Sequence, residues 1–262
     1  MTETTRLDDA HAAMEVDLTN DAARLRFYER LADGELFMLL ANEPEGDDIT
    51  PDVFELEGTA YVLVFDREDR LAEFVGSPAP YAALPGRLIA SMLAGQKIGL
   101  GVNLGVAPSS ILIPAEAMAW LADTLKSGPE QVEARIAEVH SPSAPEALIA
   151  ALDAKLATAG GLANHACLAG VTYTDGRKGH LLGFIDAVTG AEHALAGAAN
   201  EALTFSGLDA GVMDVGFFAG SEQAAGKLAA LGVRFDLPAP PAPDRATPVA
   251  PGSDPEKPPI LK

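Results

Sequence analysis

The chain has 262 residues, and 18 Lys and Arg against 38 Asp and Glu leave a net charge of −20 at pH 7. With 48% hydrophobic and 21% charged residues it can bury a core of one large or two small domains, which excludes wholesale disorder. Its longest basic run is Arg177-Lys178, which excludes recognition through clustered phosphates, so neither nucleic acid nor an anionic membrane is an expected partner.

The opening MTETTRLDDAHAAMEVD has Arg6 as its only base and no apolar centre, unlike a secretory signal. The longest apolar runs, such as 36–41 and 61–65, fall far short of the roughly 18 residues of a spanning helix. A single cysteine, Cys167, excludes a disulfide framework and any site built from several thiolates. A cytoplasmic location is therefore expected.

Asn20 or Asp21 caps the first expected helix, in which Ala22, Leu25, Tyr28 and Leu31 recur at helical spacing and Arg24, Arg26, Glu29 and Arg30 take the wet side. Asp33-Gly34 stops it. A strand follows over 36–40, then an acidic loop over 42–51. Strands over 53–56 and 61–65 are joined by Glu57-Gly58-Thr59. Asp66 is expected to cap a short helix ending near Val75. A helix over 84–93 and strands over 98–104 and 111–113 come next. Pro114 then opens AEAMAWLADTL, whose Met118, Trp120, Leu121 and Leu125 are expected to be buried. Residues 127–144 read as a linker, opened by Ser127-Gly128-Pro129, holding one short helix-like stretch and closed by a Ser/Pro cluster. Beyond it the order is helix 147–158, strands 164–172 and 180–187 joined at Asp175-Gly176, helix 192–203, strand 211–218, helix 222–231 and strand 233–237. Residues 238–262 hold 9 of the 19 prolines and read as a disordered, extended tail. The fold class is α+β: two small mixed-sheet domains, 8–126 and 145–237, with helices packed on the sheets.

Several pieces in this order resemble the SseB (enhanced serine sensitivity) family of bacterial proteins. For its N-terminal domain they are NDAARLRFYERLADGELFML, TAYVLVFDREDRLAEF, YAALPGRLIASML and GVNLGVAPSSILIPAEAMAWL. For its C-terminal domain they are ALIAALDAKL, ANHACLAGVTYTDGRKGHLLGFID and MDVGFFAGSEQAAGKLAALGVRF. Where family members often carry an Asn-Pro-Gly turn, this chain has Asn103-Leu104-Gly105, with proline displaced to Pro108. The resemblance implies two α+β domains and brings no reaction, cofactor or catalytic residue with it.

Gly99-Leu100-Gly101-Val102-Asn103-Leu104-Gly105 is one residue too long for a dinucleotide fingerprint and leads into a strand, so it reads as a turn with close backbone packing. His165 and Cys167 lie two apart and share a face if 164–172 is a strand. A hairpin symmetric about 175–178 puts Asp186 opposite Cys167. These three side chains would then make an activated thiolate, whereas the apolar neighbours Ala166, Leu168, Ala169 and Val171 make Cys167 a core filler. The same register puts His180 beside Tyr173. His11, His140 and His193 fall in tail, linker and helix with no metal-ligand spacing, so no metal and no cofactor are expected. Glu43, Glu45, Asp47, Asp48, Asp52, Glu55 and Glu57 form a run without a base, suited to a solvated loop or a basic protein partner.

The leading expectation is a non-enzymatic, cytoplasmic interaction or regulatory protein with a protein partner. The alternative is a small-molecule sensor or enzyme, conceivably for an amino acid, with a pocket between the domains or on the second sheet. Asn103, His165, Cys167 and Asp186 are its candidate binding residues.

Overall fold

Thr5 starts the first helix, α1 (Arg6–Val16). Its hydroxyl accepts from the Asp8 amide while the Asp8 carboxylate accepts from the Thr5 amide, a reciprocal cap that occupies two otherwise unpaired N–H groups. The computed structural model describes residues 4–44, 46, 48–56, 58–126, 135–207 and 213–239. His11, expected in a tail, is instead buried in α1 with its ring edge-on to Phe27.

Helix α2 (Asp21–Asp33) is capped by Asn20, which accepts from the Ala23 amide at 3.1 Å. Strand β1 (Glu35–Leu39) follows, then the hairpin β2 (Val53–Leu56) and β3 (Thr59–Phe65). Helix α3 (Glu68–Val75) starts from Arg67 without a side-chain cap; Asp66 is committed to Arg70 and Thr5 instead. The expected helix over 84–93 is a strand and then a helix, β4 (Tyr81–Pro85) and α4 (Gly86–Leu93), because β1 pairs with residues 81–85 along their whole length. Gly86 is required at this corner: a Cβ there would lie 1.8 Å from the Leu31 carbonyl oxygen of α2. Strands β5 (Ile98–Val102) and β6 (Ile111–Ile113) and helix α5 (Ala115–Lys126) complete the first unit.

The strand order is β4-β1-β3-β5-β6, with β2 also on β3, and β3 with β5 is its parallel pair. Alternation along the strands sends Val62, Val64, Leu100 and Val102 into a core shared with α1, α2, α4 and α5. Leu63 and Phe65 point to the other face, where α3 contributes Leu71. On α5, Met118 and Leu121 are buried, but Trp120 is 41% exposed, against expectation; it meets Tyr28 edge-on at 5.3 Å.

The second unit comprises β7 (Ile136–His140), α6 (Glu146–Leu156), β8 (His165–Tyr173), β9 (Lys178–Ile185), α7 (Glu192–Phe205), β10 (Met213–Phe218), α8 (Gln223–Leu231) and β11 (Val233–Asp236). Residues 136–140, inside the stretch expected to be helix-like, are a strand because they pair antiparallel with β8. The Ser127-Gly128-Pro129 opening of that stretch lies outside the described residues, as does the tail from residue 240 onward. The order is β10-β9-β8-β11, with β7 also on β8 and β9 parallel to β10. Helices α6 and α7 cover one face through Leu148, Leu152, Leu195 and Ala199, and α8 covers the other through Leu228.

The units touch where α7 meets α2. Phe205, at the end of α7, is buried in the core of the first unit, and a Cβ on Gly207 would sit 3.1 Å from the Ala22 Cα. Burying one such ring contributes about 1.5–3 kcal/mol. Among the described residues no helix is long and apolar enough to cross a membrane.

Candidate functional site

β8 carries His165 and Cys167 on the face that α8 covers. Cys167 is fully buried among Ala169, Val171, Leu181 and Leu228, and burial pushes its thiol pKa up. No hydrogen bond joins it to an imidazole among the described residues. The β8–β9 hairpin turns on Thr174-Asp175-Gly176, with Gly176 at φ 85°, a three-residue loop whose last residue is left-handed. Gly183 therefore lies opposite Cys167, three residues from the expected Asp186, and His180 lies opposite Gly170 rather than Tyr173. Asp186 falls beyond β9 at φ 52°, where its carboxylate accepts from the Gly220 amide at 2.8 Å. His165 faces Ile185 on one neighbour and Asp236 on the other. Its Nδ1 is buried without a hydrogen-bond partner, and burial, helped by Arg234, holds its pKa below the usual histidine value. His165 and Cys167 share a face, but the activated thiolate is not assembled: the thiol is packed as a core side chain.

Asn103 belongs to another place altogether. At φ 48° after β5 and fully buried, it accepts from the Asp66 amide at 3.1 Å and donates to the Ser109 hydroxyl at 2.8 Å. Ser109 donates to Asp8 at 2.6 Å, and Asp8 is clasped by both terminal nitrogens of the buried Arg70 at 2.5 and 3.1 Å. Arg70 also reaches Asp66 at 2.7 Å, and Thr5 donates to Asp66 at 2.5 Å. Burial would raise the Asp8 carboxyl, but hydrogen bonds from Arg70, Ser109 and the Thr5 amide, with the Arg70 charge, outweigh it and hold its pKa well below the carboxylate range. The network ties together the start of α1, the β3–α3 corner and the β5–β6 loop. Sequence reasoning missed Asp8 and Arg70; the Thr5-x-x-Asp8 spacing is the one local signal, a variant of a helix-start box.

A second charged cluster lines a cleft of 380 Å³ between the units. Lys155, buried on α6, reaches Asp33 at 2.7 Å and Glu201 at 2.6 Å, and Arg87 reaches the same two carboxylates at 2.6 and 3.2 Å. Thr158, Leu162 and His193 complete the wall. Nothing local in the sequence marks Lys155, whose partner Asp33 lies 122 residues away. Among the described residues no group of three or more metal-ligating side chains occurs.

The first sheet has a face that is only half covered. Helix α3 packs over β1 and the end of β3, and the rest of that face carries Phe54, Tyr61 and Leu112 in register across Gly99 and Gly101. Tyr61 lies over Gly99, where a Cβ would come within 2.5 Å of its ring. Phe54 is 37%, Leu56 49% and Leu112 37% exposed, and all four residues of β2 are exposed.

Residues 7–120 match the family model described as the SseB protein N-terminal domain. No curated protein and no solved structure matches the chain.

Proposed function

Since residues 7–120 match the SseB protein N-terminal domain, we propose that the chain is a non-enzymatic interaction or regulatory protein of the cytoplasm, which meets a protein partner through the open half of its first sheet. The second unit is taken as the family's C-terminal domain. One observation carries this reading: Phe54, Leu56 and Leu112 stand exposed together on a sheet face that α3 leaves bare. Apolar side chains gathered on one face are a mark of interaction surfaces. The charge of −20 supports a protein partner over nucleic acid or an anionic membrane, since both would be repelled. The test is affinity capture from cells that make the protein, comparing the native chain with a Phe54→Asp/Leu112→Asp variant of unchanged circular dichroism. A partner held by the native chain and lost with the variant is expected. Identical recovery by both would refute the assignment of this face.

A second reading, the small-molecule sensor or enzyme, is favoured by the inter-unit cleft, whose 380 Å³ falls in the range of ligand sites and whose walls carry three cations, Arg87, Lys126 and Lys155, and the carboxylates Asp33 and Glu201. Thermal unfolding against amino acids, nucleotides and divalent metals tests it. A ligand at about 100 times its Kd adds about 2.7 kcal/mol. That shift should vanish in Lys155→Met; a shift that survives the substitution would move the site out of the cleft.

A further inference from the structure

Strand β2 has a free edge as well as a bare face. It pairs with β3 alone, and the chain of β1 reaches only its approach, through Ala41 to Thr50 and Asp52 to Leu39. Among the described residues the outward backbone groups of Val53–Leu56 have no strand partner. An exposed edge of this kind accepts an added strand, with backbone hydrogen bonds supplying affinity and alternate side chains supplying specificity. Here alternate residues Phe54 and Leu56 point to the bare face beside Tyr61, while Val53 and Glu55 point to the opposite one.

The charge around this edge selects its occupant. No Lys or Arg stands between Arg30 and Arg67, and residues 43–57 hold seven carboxylates. Glu43, Asp48 and Glu55 are exposed. Lys97, in the turn just before β5, lies across β3 from this edge. A second copy of this chain would bring its own Glu43, Asp48, Asp52 and Glu55 toward the same residues of this one, and charges within a screening length of about 8 Å at physiological salt still interact. Like charges so placed are repulsive, whereas Lys and Arg on an incoming strand are drawn in.

Resting on the interaction reading above, we propose that the partner contributes an extended, cationic segment that adds as a strand to the free edge of β2. Its apolar residues sit on Phe54 and Leu56, and its Lys or Arg side chains meet Asp52, Glu55 and the acidic loop. Edge pairing sets its direction along β2, and alternation puts its basic residues at the rim.

The experiment places p-benzoylphenylalanine at position 54 or 56 of the full chain, with position 88, exposed on α4, as the control. Cells that make the protein are irradiated and the joined segment is sequenced by mass spectrometry. The expected result is one partner joined from 54 and 56 but not from 88, through a segment of net positive charge. A synthetic copy of that segment should bind the purified full chain, lose roughly tenfold in affinity between low and physiological salt, and not bind Phe54→Asp. A neutral or acidic segment, a second copy of this chain, or the chain's own Pro-rich tail at these positions would overturn the proposal while leaving the face an interaction surface. No adduct from 54 or 56 would overturn both readings.

Discussion

Removing the Asp8 carboxylate should be among the most damaging single changes to the first unit. The group is buried and accepts five hydrogen bonds: two from Arg70, two from Ser109 at 2.6 and 3.3 Å, and one from the Thr5 amide at 2.9 Å. Taking one partner from a buried ion pair costs about 3–5 kcal/mol, and here it would leave Arg70 with Asp66 alone at 2.7 Å. At about 2–4 °C per kcal/mol for a chain of this size, Asp8→Ala should lower Tm by about 6–20 °C. Urea unfolding of Asp8→Ala, Arg70→Met and the double variant makes the test sharper. If the two side chains act as one unit, the double variant loses less than the sum of the singles by at least about 1 kcal/mol. A loss below about 1 kcal/mol for Asp8→Ala, or losses that add within about 0.5 kcal/mol, would refute the reading of this network as the lock between α1 and the sheet.

The same carboxylate governs acid behaviour. Its folded pKa is depressed, so its stabilisation is complete above the unfolded aspartate value of about 3.9 and is lost as pH falls toward the folded value. The stability gap between the native chain and Asp8→Ala should therefore shrink from about pH 5 to about pH 2; a constant gap would contradict the assignment. Lys155→Met leaves Asp33 and Glu201 sharing Arg87 alone and should cost about 3 kcal/mol by denaturation, a loss under about 1 kcal/mol arguing against a structural role. Cys167, buried and raised in pKa, should react with a thiol reagent at least about 100-fold more slowly in the native protein than in denaturant. Rapid native labelling would mean that α8 opens. Trp120, the single tryptophan, should be quenched by iodide in the native state, and full protection would contradict its exposure.

Much of the element order was legible because it rests on local periodicity. The helix from Asp21 shows its apolar stripe and its Asn20 cap, and the β8–β9 hairpin shows its turn residues. The failures have physical reasons. Helix α1 buries Asp8 and His11, so its inward face does not look apolar. Residues 81–85 are Ala- and Leu-rich, and only pairing with β1 makes them a strand. Trp120 lies about 200° around the helix from Met118, so apolar character alone misjudged its direction. The hairpin register shifted because a three-residue loop replaced the symmetric turn. For the site, Asn103 was named as a candidate binding residue, and the network it joins could not be foreseen: Asp8 is 62 residues from Arg70 and 101 from Ser109. Tertiary closure, not pattern, brings them together.

The ring of Phe205 belongs by sequence to the second unit and by burial to the first. Evolution commonly recombines compact units by cutting between them, yet a cut here would strand a plug on one fragment and an empty socket on the other. A segment ending with α5 would expose the apolar walls that Phe205 fills, including the flank of α2 near Leu25. Any new neighbour joined to the first unit would have to bring a substitute for that ring. The two halves thus answer to one side chain: a substitution at the Phe205 socket loosens the first unit's core and the junction with the second together.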